Sequence, residues 1–310
     1  VVAVIDAVSG VGVGIDSLWQ EIGRLNLPKI VVINKLDKSQ ADFSGKVEEA
    51  RKKLGKQLVP IQIPIGAEAN FKGIYNLLKK DGVPEEIKSD YDTFREMLIE
   101  ATAEVDDTIL NDYLENKEIP EGEIITAIKT GIEAGKITPI LCISSAKEIG
   151  IEELLDEILD LLPPANKSPK ATTAGLSAFV FKTTIEPHVG ELSFVRVYSG
   201  EIKPSAAVFN ISKNKEERIG QISTLRGKTR IDLPLLSAGD IAVLPKLKIT
   251  HTGDTFGEKN SGAELPKTVY PEPVASLSVK PKSKADQEKM ALGLSAFMNE
   301  DSTFKMHYDP

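Results

Sequence analysis

The sequence predicts a multidomain protein in which a doubly wound α/β domain precedes an antiparallel β-barrel and the start of an α+β domain. Three observations indicate this order. Apolar runs alternate with helical patterns as far as Leu162, as in parallel sheets covered by helices. A polar, proline-containing stretch follows, after which apolar and polar residues alternate with period two. The segment from Pro271 onward combines strand and helix patterns.

Three short runs of apolar, often β-branched residues predict strands that are buried on both faces of a parallel sheet. They are Val1–Ile5, Ile30–Ile33 and Pro139–Ile143. Apolar residues also recur at helical spacing in four segments, which begin at Phe43, Phe94, Ile124 and Ile151. Residues 1–164 are therefore expected to form one α/β domain. The interval from about 62 to 123 is too long for a single crossover and is expected to hold a small insert.

A boundary with two prolines separates this domain from the next. Pro163 and Pro164 end the last helix, and residues 165–174 are polar, without periodicity and typical of a linker. Residues 175–262 are expected to form an antiparallel barrel, because short strands follow one another between Gly, Pro and Asp turns. Three of these strands are predicted at Ala206–Ile211, Arg218–Thr224 and Ile241–Leu244.

The third region, residues 271–310, predicts a strand at Val274–Val279 and a helix that begins after Ser283. Ser283 and Asp286 resemble a capping box at the start of that helix. A second strand is predicted to begin at Phe304. One strand, one helix and part of a strand cannot close a core, so we expect a truncated α+β domain. The chain also begins inside a strand and without methionine, which suggests a piece of a longer protein.

Composition excludes several classes of protein. Hydrophobic residues make up 41% and charged residues 27%, an ordinary balance for a globular protein. The apolar runs are too short to span a bilayer, and no signal peptide is recognisable. A single cysteine, Cys142, excludes an intrachain disulfide framework. The net charge of -8 argues against a protein that coats nucleic acid unaided, but it permits docking on a ribonucleoprotein.

A polar motif, Asn34-Lys35-Leu36-Asp37, directly follows the second predicted strand. Ligands bind at the carboxyl ends of strands in such sheets. A carboxylate there can accept both the ring N1–H and the exocyclic N2–H₂, a donor pair that only guanine presents. The lysine stem can lie over the purine face, and the asparagine amide can join neighbouring loops. The alternative is a helix N-terminus at which Asn or Asp acts only as a cap.

A second polar turn, Ser144-Ser145-Ala146-Lys147, follows the third predicted strand. In GTP-binding domains a Ser-Ala turn at this place offers a backbone N–H to the guanine O6. Adenine would present its amino group to that N–H and leave Asp37 unpaired, so buried mismatches would supply the discrimination. A serine-rich turn with a helix cap is the alternative for this segment alone. The N-K-x-D motif upstream favours the guanine interpretation.

These and further segments resemble elongation factor G, a translational GTPase. The resemblance runs from end to end in the order of that family. It includes Val4–Gly14, Leu27–Lys29, Pro64–Gly73, Phe181–Thr184, Phe194–Gly200, Ala238–Ala242, Thr252–Thr255, Pro271–Val274 and Lys282–Lys289.

The resemblance implies a GTP-binding protein whose ribosome-dependent GTP hydrolysis drives translocation or recycling. Its α/β domain would be part of a P-loop GTPase-type domain. GTP and GDP would be bound by Asn34, Lys35, Asp37 and the segment 144–146, with Mg²⁺ in the full-length protein. The implied partners are guanine nucleotide and the ribosome, whose small subunit the barrel would contact. A cytoplasmic monomer without membrane association is expected.

The residues that grip and cleave the γ-phosphate are missing from this sequence. No G-x-x-x-x-G-K-[ST] loop occurs. The segment that matches it best, Gly227-Lys228-Thr229, has Ile222 at the position of the leading glycine and fits a hairpin turn. Asp6 to Gly10 is one residue too long for the D-x-x-G element, and Asp42-x-x-Gly45 comes after N-K-x-D rather than before it.

The histidines do not supply a catalytic group either. In the family a histidine orients the attacking water, whereas His188, His251 and His307 lie in or beyond the predicted barrel. We therefore expect no catalytic residue and no Mg²⁺ ligand in this chain, and no hydrolysis by it alone.

Two points stay open from sequence. Spacing from Gly150 makes Ser144-Ser145 the counterpart of the family's Ser-Ala pair, whereas residue identity favours Ser145-Ala146. The barrel segment Leu244–Thr250 also diverges from the family, which suggests a paralogue. The alternatives are a guanine-binding or ribosome-docking module without GTPase activity, and a related factor of the ribosomal-protection or peptide-release type.

Overall fold

The described residues of the first of two units, Val1–Pro163, form six strands and six α-helices. The structure, a computed structural model, describes residues 1–115, 117–165, 175–186, 190–259 and 264–307. The strands are β1 (Val2–Asp6), β2 (Ile30–Asn34), β3 (Leu58–Pro60), β4 (Gln62–Ile65), β5 (Gly73–Asn76) and β6 (Thr138–Cys142). The helices are α1 (Val13–Arg24), α2 (Phe43–Leu54), α3 (Lys88–Ala103), α4 (Asp107–Leu114), α5 (Glu121–Glu133) and α6 (Ile151–Leu161).

A parallel sheet with the order β1-β2-β6-β3 is the framework of this unit. Every residue from Ile30 to Ile33 and from Thr138 to Cys142 is buried. This agrees with the continuous apolar runs, because central parallel strands are covered on both faces. Val2 and Val4 on the outer strand β1 are exposed. The doubly wound α/β fold class predicted from the sequence is confirmed.

Helix α2 shows how local sequence sets an element. Asp42 caps its N-terminus and accepts a hydrogen bond from the Gly45 N–H at 2.9 Å. Phe43, Val47, Ala50 and Leu54 are all buried, as their helical spacing predicts. The Asp42-x-x-Gly45 segment is thus a helix cap. Helix α1 was not predicted, since Ile22 is its one buried residue among those described.

The interval 62–123 packs on the same core as the sheet. An antiparallel hairpin, β4–β5, opens it, and α3 and α4 follow. The Phe43 and Phe94 rings meet edge to face with centroids 5.7 Å apart, and Leu98 is fully buried. The side chains of this interval therefore share one hydrophobic cluster with those of the parallel strands.

The second unit, Pro164–Pro310, contains ten strands and one helix among its described residues. They are β7 (Ser177–Glu186), β8 (Gly190–Ser199), β9 (Glu201–Ile202), β10 (Ala207–Asn210), β11 (Lys215–Arg218), β12 (Ser223–Arg226), β13 (Thr229–Asp232), β14 (Leu236–Ser237), β15 (Ile241–Pro245), β16 (Thr255–Gly257) and α7 (Lys284–Glu300).

An antiparallel sheet of eight strands dominates this unit, in the order β11-β10-β16-β7-β8-β15-β12-β13. Strands β9 and β14 form a separate pair. Val195, Ile202 and Leu236 come from both sheets and pack in one core, as in a barrel. The β-rich architecture after the α/β domain agrees with the predicted fold class.

Three strand predictions in this unit were wrong. Arg218–Thr224 is not one strand: β11 ends at Arg218 and β12 begins at Ser223. Neither Val274–Val279 nor the segment after Phe304 forms a strand in the described residues. A strand needs a neighbour for its backbone hydrogen bonds, and these segments pair with none in the described part of the chain. The predicted helix is present, and Ser283 caps it by accepting from the Asp286 N–H.

The predicted linker, residues 165–174, lies outside the described residues except for Ala165. Among the residues that are described, no helix has the length and apolar composition needed to cross a membrane.

Candidate functional site

The carboxyl ends of three neighbouring strands meet at one edge of the parallel sheet. Asp6 at the end of β1 is in register with Asn34 at the end of β2, and Ile33 is in register with Cys142 of β6. The loops that follow Asn34 and Cys142 therefore lie side by side. Parallel sheets bind ligands at this edge.

Asn34 joins these two loops. Its Nδ2 donates to Ser145 Oγ at 2.9 Å, and its Oδ1 accepts from the Ser145 N–H at 3.0 Å. The same Oδ1 accepts from the Lys35 N–H at 2.7 Å. Asn34 and Ser145, which are 111 residues apart in sequence, are thus joined by two hydrogen bonds in which the Asn34 side-chain amide both donates and accepts. The sequence predicted an asparagine that ties neighbouring loops, and this geometry has that form.

Asp37 is held by Ser144. The Ser144 hydroxyl donates to Asp37 Oδ1 at 2.6 Å, and Ser144 is fully buried. This hydrogen bond lowers the pKa of Asp37 from its ordinary value, with a smaller contribution from the charges of Lys38 and Lys147. The half-exposed carboxylate is therefore ionised at neutral pH and available as an acceptor.

Lys35 contacts Asp6, a residue that the sequence did not single out for the site. Lys35 Nζ lies 2.6 Å from Asp6 Oδ2, and Asp6 Oδ1 accepts from the N–H groups of Val8 and Ser9. The Lys35 contact, followed by these two backbone donors, lowers the pKa of Asp6 to about 2. The ammonium group of Lys35 is thereby fixed across the β1–β2 edge. Strand order was the missing information, because Asp6 is 29 residues from Lys35.

The turn after β6 has a closed backbone. Ser144 and Ile149 exchange two backbone hydrogen bonds, of 3.0 and 3.1 Å, and the Lys147 N–H donates to Ser144 Oγ. Gly150 follows with φ +80, and a Cβ there would lie 2.7 Å from the Cys142 carbonyl oxygen. Only glycine fits this conformation and this approach. The turn therefore presents residues 145–147 at the surface while Ser144 stays inside.

Ser145 and Ala146, two of the exposed residues of the turn, differ in their backbone donors. The Ser145 N–H donates to Asn34 Oδ1. In the described part of the chain, the Ala146 N–H has no acceptor. Both residues are exposed, and Ser144 is the one that contacts Asp37.

The remaining sequence candidates lie away from this edge. Gly227-Lys228-Thr229 joins β12 to β13 in the second unit, and Gly227 has φ +61, as a hairpin turn requires. His251 and His307 also belong to the second unit, and His188 lies outside the described residues. Where the chain is described, no three His, Cys, Asp or Glu residues are grouped to hold a metal ion.

Comparisons with known proteins cover nearly the whole chain. The model of the elongation factor Tu GTP-binding domain matches residues 1–164. The models of elongation factor G domain 2 and of elongation factor G domain III match residues 175–259 and 270–310. The order of the three matches is that of a translation factor.

A solved structure supports the same fold. The chain is similar to a crystal structure of ttk003000868 from Thermus thermophilus, with a TM-score of 0.86 and 26% sequence identity. The similarity covers 99% of this chain and 48% of the other. The chain thus spans about half the length of that protein.

Proposed function

This chain belongs to the elongation factor Tu GTP-binding domain family and has the domain architecture of an elongation factor G-like translational GTPase, and we propose that its first unit reads the guanine base of GTP and GDP. The residues that we assign to the base are Asn34, Lys35, Asp37 and the segment Ser144-Ser145-Ala146.

One observation carries this assignment. Two loops 107 to 111 residues apart are joined by two side-chain contacts, Ser144–Asp37 and Ser145–Asn34. Both contacts lie at the ligand-binding edge of a parallel sheet. A helix cap needs neither contact, because a cap bonds to the backbone of its own helix.

Asp37 is the proposed specificity residue. Its ionised carboxylate accepts the N1–H and the N2–H₂ of guanine, and Ser144 holds the carboxylate in place. Charge-assisted hydrogen bonds of this kind are about twice as strong as neutral ones. Adenine offers no donor pair in this position, so the carboxylate would be left unpaired.

The 145–146 segment is the proposed partner of the guanine O6. The Ala146 N–H is unshared in the described part of the chain, and the Ser145 N–H is shared with Asn34. A carbonyl oxygen accepts from this donor, whereas the adenine amino group would oppose it. The stem of Lys35 supplies an apolar surface for the purine ring while its ammonium group stays bound to Asp6.

In the whole protein, we propose that GTP binding and ribosome-dependent hydrolysis drive translocation or recycling. Mg²⁺ and the γ-phosphate would be held by residues that are not in this sequence, since no phosphate-binding loop occurs in it. A monomer in the cytoplasm is the state that we assign to it, with the ribosome as its partner.

Nucleotide competition tests the base assignment in the full-length gene product. A fluorescent GDP is displaced by unlabelled GDP, IDP or ADP. IDP lacks the N2 amino group and loses one hydrogen bond to Asp37, so we expect it to bind about tenfold more weakly than GDP. ADP should bind at least about a hundredfold more weakly. Equal displacement by GDP and ADP would contradict the proposal.

A role other than translocation is favoured by one feature of the second unit. The segment Leu244–Thr250 diverges from elongation factor G, and Glu217 binds it through the Ile249 N–H at 2.9 Å and the Thr250 hydroxyl at 3.1 Å. A ribosomal-protection factor is therefore the second candidate. Purified ribosomes distinguish the candidates: a translocation factor moves the messenger by one codon and a recycling factor separates the subunits, whereas a ribosomal-protection factor does neither.

A further inference from the structure

The turn between β4 and β5 contacts both loops of the proposed guanine site. We define this insert turn as residues 66–71. Gly66 has φ +77, and a Cβ there would lie 2.2 Å from the Asn70 carbonyl oxygen. The turn is closed by the Phe71 N–H, which donates to the Glu68 carbonyl at 3.0 Å. Phe71 is buried in the core of the first unit, so the turn has a fixed base.

The first contact holds the loop that follows Asp37. The Gln40 N–H donates to Glu68 Oε1 at 2.6 Å. Gln40 and Glu68 both have left-handed backbones, with φ of +65 and +51. Such conformations are uncommon for residues with a Cβ and persist where surrounding contacts fix them. The Glu68 carboxylate fixes the end of the N-K-x-D loop, because a charge-assisted bond of this kind is directional.

The second contact holds the other loop. Lys147 Nζ donates to the carbonyl oxygens of Ala69 at 2.9 Å and Phe71 at 3.2 Å. The backbone N–H of Lys147 donates to Ser144 Oγ, and that hydroxyl in turn donates to Asp37. A continuous set of hydrogen bonds therefore runs from the insert turn through Lys147 and Ser144 to the proposed guanine-reading carboxylate.

We propose that the insert turn is a positioning element of the guanine site, with Glu68 and Lys147 as positioning residues that set the spacing between the two base-reading loops. Neither residue needs to touch the nucleotide. The proposal rests on the proposed function, because it assigns a role in the binding of the base at that same site. Linkage makes the effect reciprocal: a nucleotide that orders the two loops also stabilises the insert turn.

Guanine nucleotide affinity of the full-length gene product tests the proposal. Glu68→Gln and Lys147→Met each remove a charge from these contacts and keep the side-chain size. We expect each to weaken GDP binding about two- to tenfold, the range for a solvent-exposed charged hydrogen bond. Lys147→Arg keeps the charge and should bind GDP within about twofold of the wild type.

The chain offers matched controls beside the turn. Lys72 and Glu86 form an ion pair with an Nζ–Oε1 distance of 2.7 Å, and both are exposed. No hydrogen bond joins either side chain to the base-reading loops in the described residues. Lys72→Met and Glu86→Gln therefore remove the same kind of charge from the same region. We expect both to bind GDP like the wild type.

Hydrogen exchange supplies a readout that loss of stability alone would not produce. Saturating GDP should slow exchange of the Asn70 and Phe71 amides in the wild type and in Lys72→Met. In Lys147→Met at saturating GDP, the same amides should gain no protection, although the nucleotide is bound.

The outcomes separate this proposal from the one on which it rests. If the wild-type protein does not prefer GDP to ADP, the proposed guanine site itself is contradicted. A wild-type preference for GDP, with Glu68→Gln and Lys147→Met indistinguishable from the two controls, would overturn the positioning role alone. Equal losses in all four variants would show that the insert turn only supports the fold, which also overturns the proposal.

Discussion

At the scale of single residues, Asn34 binds Ser145 through both atoms of its side-chain amide and so links its own loop to the turn after β6. Its Nδ2 donates to Ser145 Oγ and its Oδ1 accepts from the Ser145 N–H, while the same Oδ1 accepts from the Lys35 N–H within its own loop. With alanine at this position, the Ser145 hydroxyl and the N–H groups of Ser145 and Lys35 would lose their hydrogen-bond partner in the side chain of residue 34. Asn34 therefore supports the geometry of the site before any nucleotide is bound.

Asn34→Ala should lower the free energy of unfolding of the 310-residue chain by about 1–2 kcal/mol, since partly exposed hydrogen bonds contribute about 1 kcal/mol each or less. Urea denaturation followed by circular dichroism measures the change. Asn111→Ala is the control, because Asn111 is exposed on α4 and alanine favours a helix. Equal stability of Asn34→Ala and the wild type would contradict the role of Asn34 as a tie.

Asp6 makes the stability of the first unit depend on pH. Its pKa is lowered to about 2 by Lys35 and by two backbone N–H groups. A carboxyl group whose pKa is lowered by folding stabilises the fold above its ordinary pKa, near 4, and loses this contribution as the pH falls toward 2. Because both partners are accessible to water, we expect a contribution of about 1 kcal/mol at neutral pH.

The test of this pH dependence is Asp6→Asn. At pH 7 the variant should be less stable than the wild type by about 1 kcal/mol, and the difference should shrink by pH 3. Urea denaturation at pH 7, 5, 4 and 3 measures it. A difference that stays constant over this range would show that Asp6 stabilises the fold through its shape rather than its charge.

The contacts of the candidate site divide into those that the sequence predicts and those that it does not. Asn34, Lys35 and Asp37 could be chosen as candidates because the proposed guanine recognition needs those groups directly after a strand. Asp6 and Lys147 were not predicted for their contacts, since their partners lie 29 and 76 to 78 residues away. The strand order brings Asp6 to Lys35, and the path of the insert brings Ala69 and Phe71 to Lys147.

At the scale of elements, Gly150 determines how the turn after β6 passes into α6. It has φ +80 and lies close to the Cys142 carbonyl oxygen. A side chain there strains the backbone and collides with main-chain atoms, which cannot move as a flexible side chain could. The position of Ser144 against Asp37 depends on this passage.

Gly150→Ala should therefore destabilise the chain by about 1–3 kcal/mol. Gly23→Ala is the matched control, because Gly23 lies in α1 with nothing within 4 Å of the added Cβ. Alanine is a better helix former, so this control should be more stable by about 0.5–1 kcal/mol. Thermal or urea unfolding measures both. Similar effects of the two substitutions would contradict the account of Gly150.

Helices and strands could be predicted from sequence where the hydrophobic pattern matches the burial of the element in the fold. Strands β2 and β6 are continuous apolar runs and are buried on both faces. Residues 218–224 gave a false strand because two short strands that follow each other in sequence, separated by residues 219–222, read as one run. Residues 274–279 have the composition of a strand but no neighbour in the described residues, so local sequence alone could not decide their conformation.

At the scale of the whole molecule, three family matches occur in the order of a translation factor. They cover residues 1–164, 175–259 and 270–310. The sequence contains the motifs proposed to read the base but no phosphate-binding loop. We therefore expect most of the charge of a nucleotide to have no partner in these 310 residues.

The 310-residue chain should hydrolyse GTP no faster than buffer, with or without added ribosomes. Release of inorganic phosphate from labelled GTP measures this. The full-length gene product, assayed in parallel with the same ribosomes, is the positive control. Ribosome-stimulated turnover by this chain that persists through purification and disappears in Asp37→Asn would contradict the prediction.

The nucleotide preference of an Asp37 variant tests whether Asp37 reads the guanine base. Asp37→Asn places an amide donor where the carboxylate accepted, which suits the C2 oxygen of xanthine. Competition of GDP and XDP for the full-length gene product should show that the variant prefers XDP by about tenfold or more, whereas the wild type prefers GDP. An Asp37→Asn protein that still prefers GDP as strongly as the wild type would remove Asp37 from the site.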